Sequence, residues 1–278
     1  MKKVTILPAM LTLGNAALGF TAVATVVDAA YSLSSPDPIL YHEKLKIAIF
    51  CIFGAMVCDA LDGAVARMVK GATEFGGYLD SLADIVSFGI APALIVKAII
   101  KLDFQQQIFR GIGWDPWSKI TWLVTGMFCL GAILRLARFN AENAPDAESH
   151  QYFEGLPTPP AAGLLISLAL LYIIEPSLQS VMFYTMIIAG PFLGVMMISR
   201  VRYVHLINKV LLGEHTFQYV ALFAAMIVAV SALGVYEYAL AVGFLVYALW
   251  GPVVMIFRKP KSFDESSRLG KPSVMSRN

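Results

Sequence analysis

The stretch DALDGAVARMVKGATEFGGYLDSLAD, residues 59–84, sets four aspartates among alanines, glycines, leucines and valines. Asp59, Asp62 and Ala66 are spaced i, i+3, i+7 and share one face of a helix. Gly76, Asp80 and Asp84 are spaced i, i+4, i+8 and share one face of the next. Gly71, Ala72 and Thr73 supply a short turn between them. This spacing predicts two antiparallel neighbouring helices whose acidic faces meet.

The flanking sequence decides where those helices lie. The 278-residue chain is 58% hydrophobic and only 14% charged, where a soluble domain carries about 25% charged residues. A spanning helix needs about 20 apolar residues, and the chain offers about eight candidate windows: 11–31, 46–69, 78–100, 120–139, 160–174, 178–199, 217–235 and 238–257. The expected fold class is therefore all-α, a polytopic membrane helix bundle. Residues 1–257 are expected to form one membrane domain, and the charged segment 258–278 a disordered cytoplasmic tail. The connections, among them SLSSPDPILYHEK and AENAPDAESHQYFEGLPTPP, are polar and rich in turn formers. Lys2 and Lys3 precede an apolar run that Pro8, Gly14, Asn15 and Gly19 interrupt. That run reads as a retained first helix, not a removed signal.

Eight spans put both termini on one side. Fifteen of the 21 Lys and Arg residues then fall on that side, which the positive-inside rule assigns to the cytoplasm. The turn between the two acidic helices lies on the same side. The net charge of +2 gives no sign of a nucleic-acid partner. Cys51, Cys58 and Cys129 sit in apolar windows without paired spacing and read as small buried hydrophobes.

Carboxylates inside a membrane face a cavity or the bundle interior, and four together repel one another. A divalent cation removes the conflict, and all-carboxylate ligation suits a hard ion such as Mg²⁺, Mn²⁺ or Ca²⁺. Mg²⁺ in particular keeps sites open for substrate phosphates. Gly63, Ala66 and Gly76 leave room for a ligand to approach the backbone, and Arg67 offers a guanidinium for a phosphate. Metal, small residues and a basic residue together suggest a diphosphate. Gly and Ala at such spacing also serve helix packing, and Arg67 could simply mark the membrane boundary. An ion or proton transporter, with the aspartates as its pathway, is the alternative from another class. It would place them near the midplane among broken helices.

Asp59, Asp62, Gly63, Ala66, Arg67, Gly76, Asp80 and Asp84 match D-x₂-D-G-x₂-A-R-x₈-G-x₃-D-x₃-D in full. In this the chain resembles the CDP-alcohol phosphotransferase family. The resemblance implies a six-helix core, here with two further helices, in a homodimer that joins a CDP-linked lipid to an alcohol and releases CMP. It implies that Asp59, Asp62 and Asp80 bind a divalent metal, Mg²⁺ or Mn²⁺. Asp84 would be the base for the attacking hydroxyl and would share in metal binding. Gly63, Ala66, Arg67 and Gly76 would line the CDP site. LPAMLTLGNAALGF, LRLARFN and FEGLPTPPAAG resemble the membrane phosphatidylserine synthase branch, over roughly residues 5–165. That branch implies CDP-diacylglycerol and L-serine as partners.

Three further positions bear on the ligands. Asn15 is a polar residue on an apolar helix, suited to the nucleotide or to a neighbouring helix. Arg135 and Arg138, with Asn140 just beyond, are candidates for the serine carboxylate. Boundary charges facing headgroups are the other reading of that pair. Glycerol 3-phosphate, an inositol phosphate, choline or an archaeal-type lipid donor are the alternative substrates for the same chemistry.

Overall fold

Backbone in hydrocarbon has no water to bond, so a spanning segment must pair its own N–H and C=O groups. Every element described in the computed structural model is accordingly helical. It describes residues 6–32, 38–68, 73–107, 116–142, 155–201 and 236–257. In chain order these form α1 (Ile6–Ser32), α2 (Pro38–Met68), α3 (Glu74–Asp84), a π-helical turn (Ile85–Ile90), α4 (Ala91–Gln107), α5 (Pro116–Glu142) and α6 (Thr158–Ile174). A 3₁₀ turn (Pro176–Leu178) leads into α7 (Gln179–Ile198), and α8 (Tyr236–Phe257) closes the described chain.

Among the described residues, six stretches are long and apolar enough to cross a membrane: Leu7–Tyr31, Ile39–Ala66, Glu74–Lys101, Lys119–Ala141, Pro176–Ile198 and Tyr236–Val254. The chain is a multi-pass membrane protein. α6 is apolar but has 17 residues, about 25 Å at 1.5 Å per residue. The expected span 217–235 and the tail 258–278 lie outside the described residues.

Three expectations need correction. The segment SLSSPDPILYHEK was read as a connection, yet α2 begins at Pro38. Proline is tolerated in the first helical turn because its missing N–H has no partner there anyway. Tyr41 and Leu45 then bury themselves in the core, and that burial extends the helix. The third span was read as a helix over 78–100. Instead the Ala91 N–H bonds to the Val86 carbonyl, an i→i+5 step that inserts a π turn directly after Asp84. Finally, α2 and α3 were expected to pack side by side. The third span does neighbour α2, but through the π turn and α4 more than through α3, and α1 packs against both α2 and α3.

Burial identifies the centre. The window in Glu74–Lys101 is 67% buried, against 22–39% in the other five long spans. The short α6 is buried along nearly its whole length, from Thr158 to Ile173, with α4, α7, α8 and α2 around it. Phe88, Ile95, Phe128, Leu165 and Ile166 form part of this fully buried core. Leu13, Phe20, Trp122, Leu130, Ile188 and Val242 point outward, where a bilayer would cover them. Seven of the eleven buried polar side chains among the described residues are Thr12, Asn15, Asp62, Ser81, Asp84, Ser87 and Thr158. They gather at one end of the bundle, where α1, α3 and α6 start and α2 and α5 finish.

Candidate active site

The four aspartates come from two elements. Asp59 and Asp62 lie in the last third of α2, and Asp80 and Asp84 in the last half of α3. α3 has a built start: Thr73 Oγ1 accepts the Gly76 N–H at 3.1 Å, and the Gly77 N–H bonds to the Thr73 carbonyl at 3.1 Å. This N-cap satisfies donors that a helix start leaves open. At 1.5 Å per residue it sets Asp80 about 9 Å and Asp84 about 15 Å along the helix.

One carboxylate oxygen each from Asp59, Asp62 and Asp80 lies within 4.8 Å of the others. No other group of three such ligands occurs among the described residues. α2 and α3 thus meet through their carboxylates more than through their backbones. Asp62 is buried, and Thr12 Oγ1 of α1 stands 2.9 Å from its Oδ2. Asp80 Oδ1 is buried with no hydrogen-bond partner among the described residues. Three carboxylates this close, one with an unsatisfied oxygen, make an acceptor-only set. Such a set fits a hard divalent cation.

Asp84 stands beside this group, buried, and its Oδ1 accepts a 3.0 Å hydrogen bond from Asn15 Nδ2. Arg135 of α5 interacts electrostatically with both Asp84 and Asp59. Its Nη1 donates to Thr158 Oγ1 at the start of α6. The prolines of FEGLPTPPAAG do open that helix, with Pro159 in its first turn. A half-buried guanidinium facing two carboxylates balances charge at the site.

Arg138 is one turn further along and points elsewhere. Its guanidinium donates to the Ile198 carbonyl at 3.1 Å and the Ser199 carbonyl at 3.4 Å, at the end of α7. Leu156 N–H reaches the same terminus, bonding to the Met196 carbonyl at 3.1 Å. Together they satisfy carbonyls that the helix end leaves open. Asn140 Oδ1 accepts from Ser81 Oγ at 3.0 Å, tying α5 to α3. Gly63, Ala66 and Gly76 are half-buried around the aspartates. The Arg67 side chain lies outside the described residues.

Sequence reasoning did not pick out Thr12, Ser81, Ser87, Thr158 or Tyr247. A signal existed for the first: Thr12 precedes Asn15 by three residues, so both point from one face of an apolar helix. Ser81 and Ser87 looked like ordinary small residues of the third span. Tyr247, which interacts electrostatically with Arg135, lies more than a hundred residues away with no local sign of its role.

Comparison with known proteins gives a consistent picture. Residues 5–195 match the CDP-alcohol phosphatidyltransferase family. The chain is 30% identical over 233 residues to the CDP-diacylglycerol–serine O-phosphatidyltransferase of Helicobacter pylori strain 26695, covering 81% of this chain and 90% of the relative. It is 30% identical over 208 residues to the protein of that name from Methanocaldococcus jannaschii, covering 74% and 82%. The Saccharomyces cerevisiae protein of that name is 39% identical over 156 residues, 54% of this chain and 50% of the relative.

Proposed function

The chain belongs to the CDP-alcohol phosphatidyltransferase family, and from that premise we propose that it transfers the phosphatidyl group of CDP-diacylglycerol to the hydroxyl of L-serine. The products are phosphatidylserine and CMP. Serine as acceptor rests on the names of the relatives from bacteria, an archaeon and yeast. The observation that carries the chemistry is the convergence of Asp59, Asp62 and Asp80 within 4.8 Å, beside a buried Asp84.

Each group then has a role. Asp59, Asp62 and Asp80 hold a divalent ion, Mg²⁺ or Mn²⁺. When bound, that ion neutralises negative charge on the diphosphate and so makes CMP a better leaving group. Asp84 takes the proton from the serine hydroxyl. The serine oxygen forms a bond to the phosphorus of the phosphatidyl group as the bond to the bridging oxygen breaks, and that oxygen leaves with CMP. Gly63, Ala66 and Gly76 give the nucleotide close access to the backbone, with Arg67 near its phosphates. Arg135 holds the serine carboxylate. Arg138 and Asn140, bonded to α7 and to Ser81, support the wall of that subsite. The reaction takes place at the cytoplasmic face of the cell membrane, with the acyl chains in the bilayer. The membrane domain runs over 1–257, and the working unit is a homodimer.

The decisive assay is CMP release from CDP-diacylglycerol by the purified protein in detergent with Mn²⁺ or Mg²⁺, supplying each candidate alcohol in turn. CMP should appear with L-serine and cease when the ion is chelated. CMP with glycerol 3-phosphate, inositol phosphate or choline but not serine would replace the acceptor and keep the chemistry. Folded protein that releases CMP with no acceptor would sink the transferase reading.

A further inference from the structure

Asp84 is held from α1, as Asp62 is by Thr12, but here the donor is a side-chain amide. Asn15 is fully buried on α1, and its Nδ2 donates to Asp84 Oδ1 at 3.0 Å. A carboxylate accepts and does not donate, so the amide must turn its nitrogen towards Asp84. Asn15 Oδ1 then faces away and is buried without a partner among the described residues. The backbone at Asn15 is pinned as well. Ser87 Oγ, also fully buried, donates to the Asn15 carbonyl at 3.0 Å.

Ser87 lies in the π turn that follows Asp84. That turn comes so close to α1 that a Cβ placed on Gly19 would stand 2.8 Å from Ser87 Cα, closer than real Cβ atoms come to backbone. Gly19 is one turn beyond Asn15 on the same face of α1. Only a residue without a Cβ permits this approach. One patch of α1 thus touches Asp84 through Asn15, and the π turn through Asn15 and Gly19.

We infer that Asn15, Ser87 and Gly19 form a positioning unit: α1 docks on the π turn and, through the Asn15 amide, holds the Asp84 carboxylate in the one rotamer that faces the acceptor hydroxyl. None of the three ligates the metal. The π turn supplies the extra residue that lets Ser87 reach α1 while Asp84 stays on the face of Asp80. Asn15 therefore belongs to the base and not to the nucleotide. The inference rests on Asp84 acting as the base in the transfer reading above.

The experiment compares Asn15→Ala, Ser87→Ala and Asp84→Asn in purified protein with CDP-diacylglycerol and L-serine. It records kcat, KM for both substrates, and Mn²⁺ affinity by electron paramagnetic resonance. Asn15→Ala should lower kcat about 10–100-fold, as removal of a supporting hydrogen bond does at other sites. Ser87→Ala should lower kcat about 3–10-fold, the usual value of one neutral hydrogen bond. In both, KM for CDP-diacylglycerol and Mn²⁺ affinity should remain at the wild-type values. Added to Asp84→Asn, Asn15→Ala should have no further effect, because it acts through Asp84.

Loss of Mn²⁺ affinity together with kcat in Ser87→Ala and Asn15→Ala would overturn the unit, as would unchanged kcat in both. Effects that simply multiply in the double variant would overturn it too. Wild-type turnover by Asp84→Asn would remove the base itself, and the positioning unit with it. An inactive Asp84→Asn beside a fully active Asn15→Ala would remove only the positioning unit.

Discussion

At the scale of single residues, the site separates two arginines that the sequence presents as a pair. Arg135 faces Asp84 and Asp59, while Arg138 bonds to the end of α7. Their substitutions should therefore fail in different ways. Arg135→Gln should raise KM for serine about 10–100-fold, the value of a charge-assisted hydrogen bond, with a smaller change in KM for CDP-diacylglycerol. Arg138→Gln should leave serine KM within a few-fold of wild type and lower the melting temperature in detergent. Initial-rate kinetics and a thermal melt on the same preparations check both. Asp80→Asn should abolish detectable Mn²⁺ binding and cut turnover by about 100-fold or more, since the ion stabilises charge in the transition state. Binding measured by electron paramagnetic resonance is the check. Retained affinity would place the ion elsewhere.

At the scale of elements, α5 and α7 pack through small residues without the usual spacing of side chains. A Cβ on Gly194 would lie 2.9 Å from the Met127 carbonyl carbon of α5. In lipid, helices gain little from hydrophobic exclusion, so close backbone packing of this kind holds the pair together. Gly194→Val should destabilise the fold by about 1–3 kcal/mol, as overpacking does in well-packed cores. Residual activity should follow the folded fraction, with KM unchanged. A change in serine KM at full stability would mean that α7 shapes the acceptor subsite directly. The same element scale explains what the sequence left unread. Helix existence was legible because apolar runs of this length have few alternatives in a bilayer. The π turn was not, because IVSFGI is apolar whichever ladder it adopts, and its packing against α1 and α5 is set by the tertiary fold.

At the scale of the whole molecule, the aspartates lie at one end of the bundle, and the positive-inside rule predicts that this end faces the cytoplasm. Labelling of single cysteines checks that orientation. Glu74→Cys, at the exposed start of α3, should react with an impermeant maleimide only in inside-out vesicles. Ser177→Cys, exposed between α6 and α7, should react only from outside whole cells. The reverse pattern would invert the topology and move serine and CMP to the other compartment.

The sequence by itself determined the membrane class, most of the helices and the acidic cluster. Each follows from local rules: apolar length for spans, and helical spacing for faces. It also carried the family, since the pattern from Asp59 to Asp84 lies within 26 residues of continuous chain. Tertiary structure decided the partners. That α1 packs against both α2 and α3, that Asn15 meets Asp84 across 69 residues, and that Arg135 but not Arg138 faces the site are long-range choices. They depend on which small residues allow two backbones to approach. No local spacing records that, because a glycine reads the same whether its neighbour is lipid or another helix.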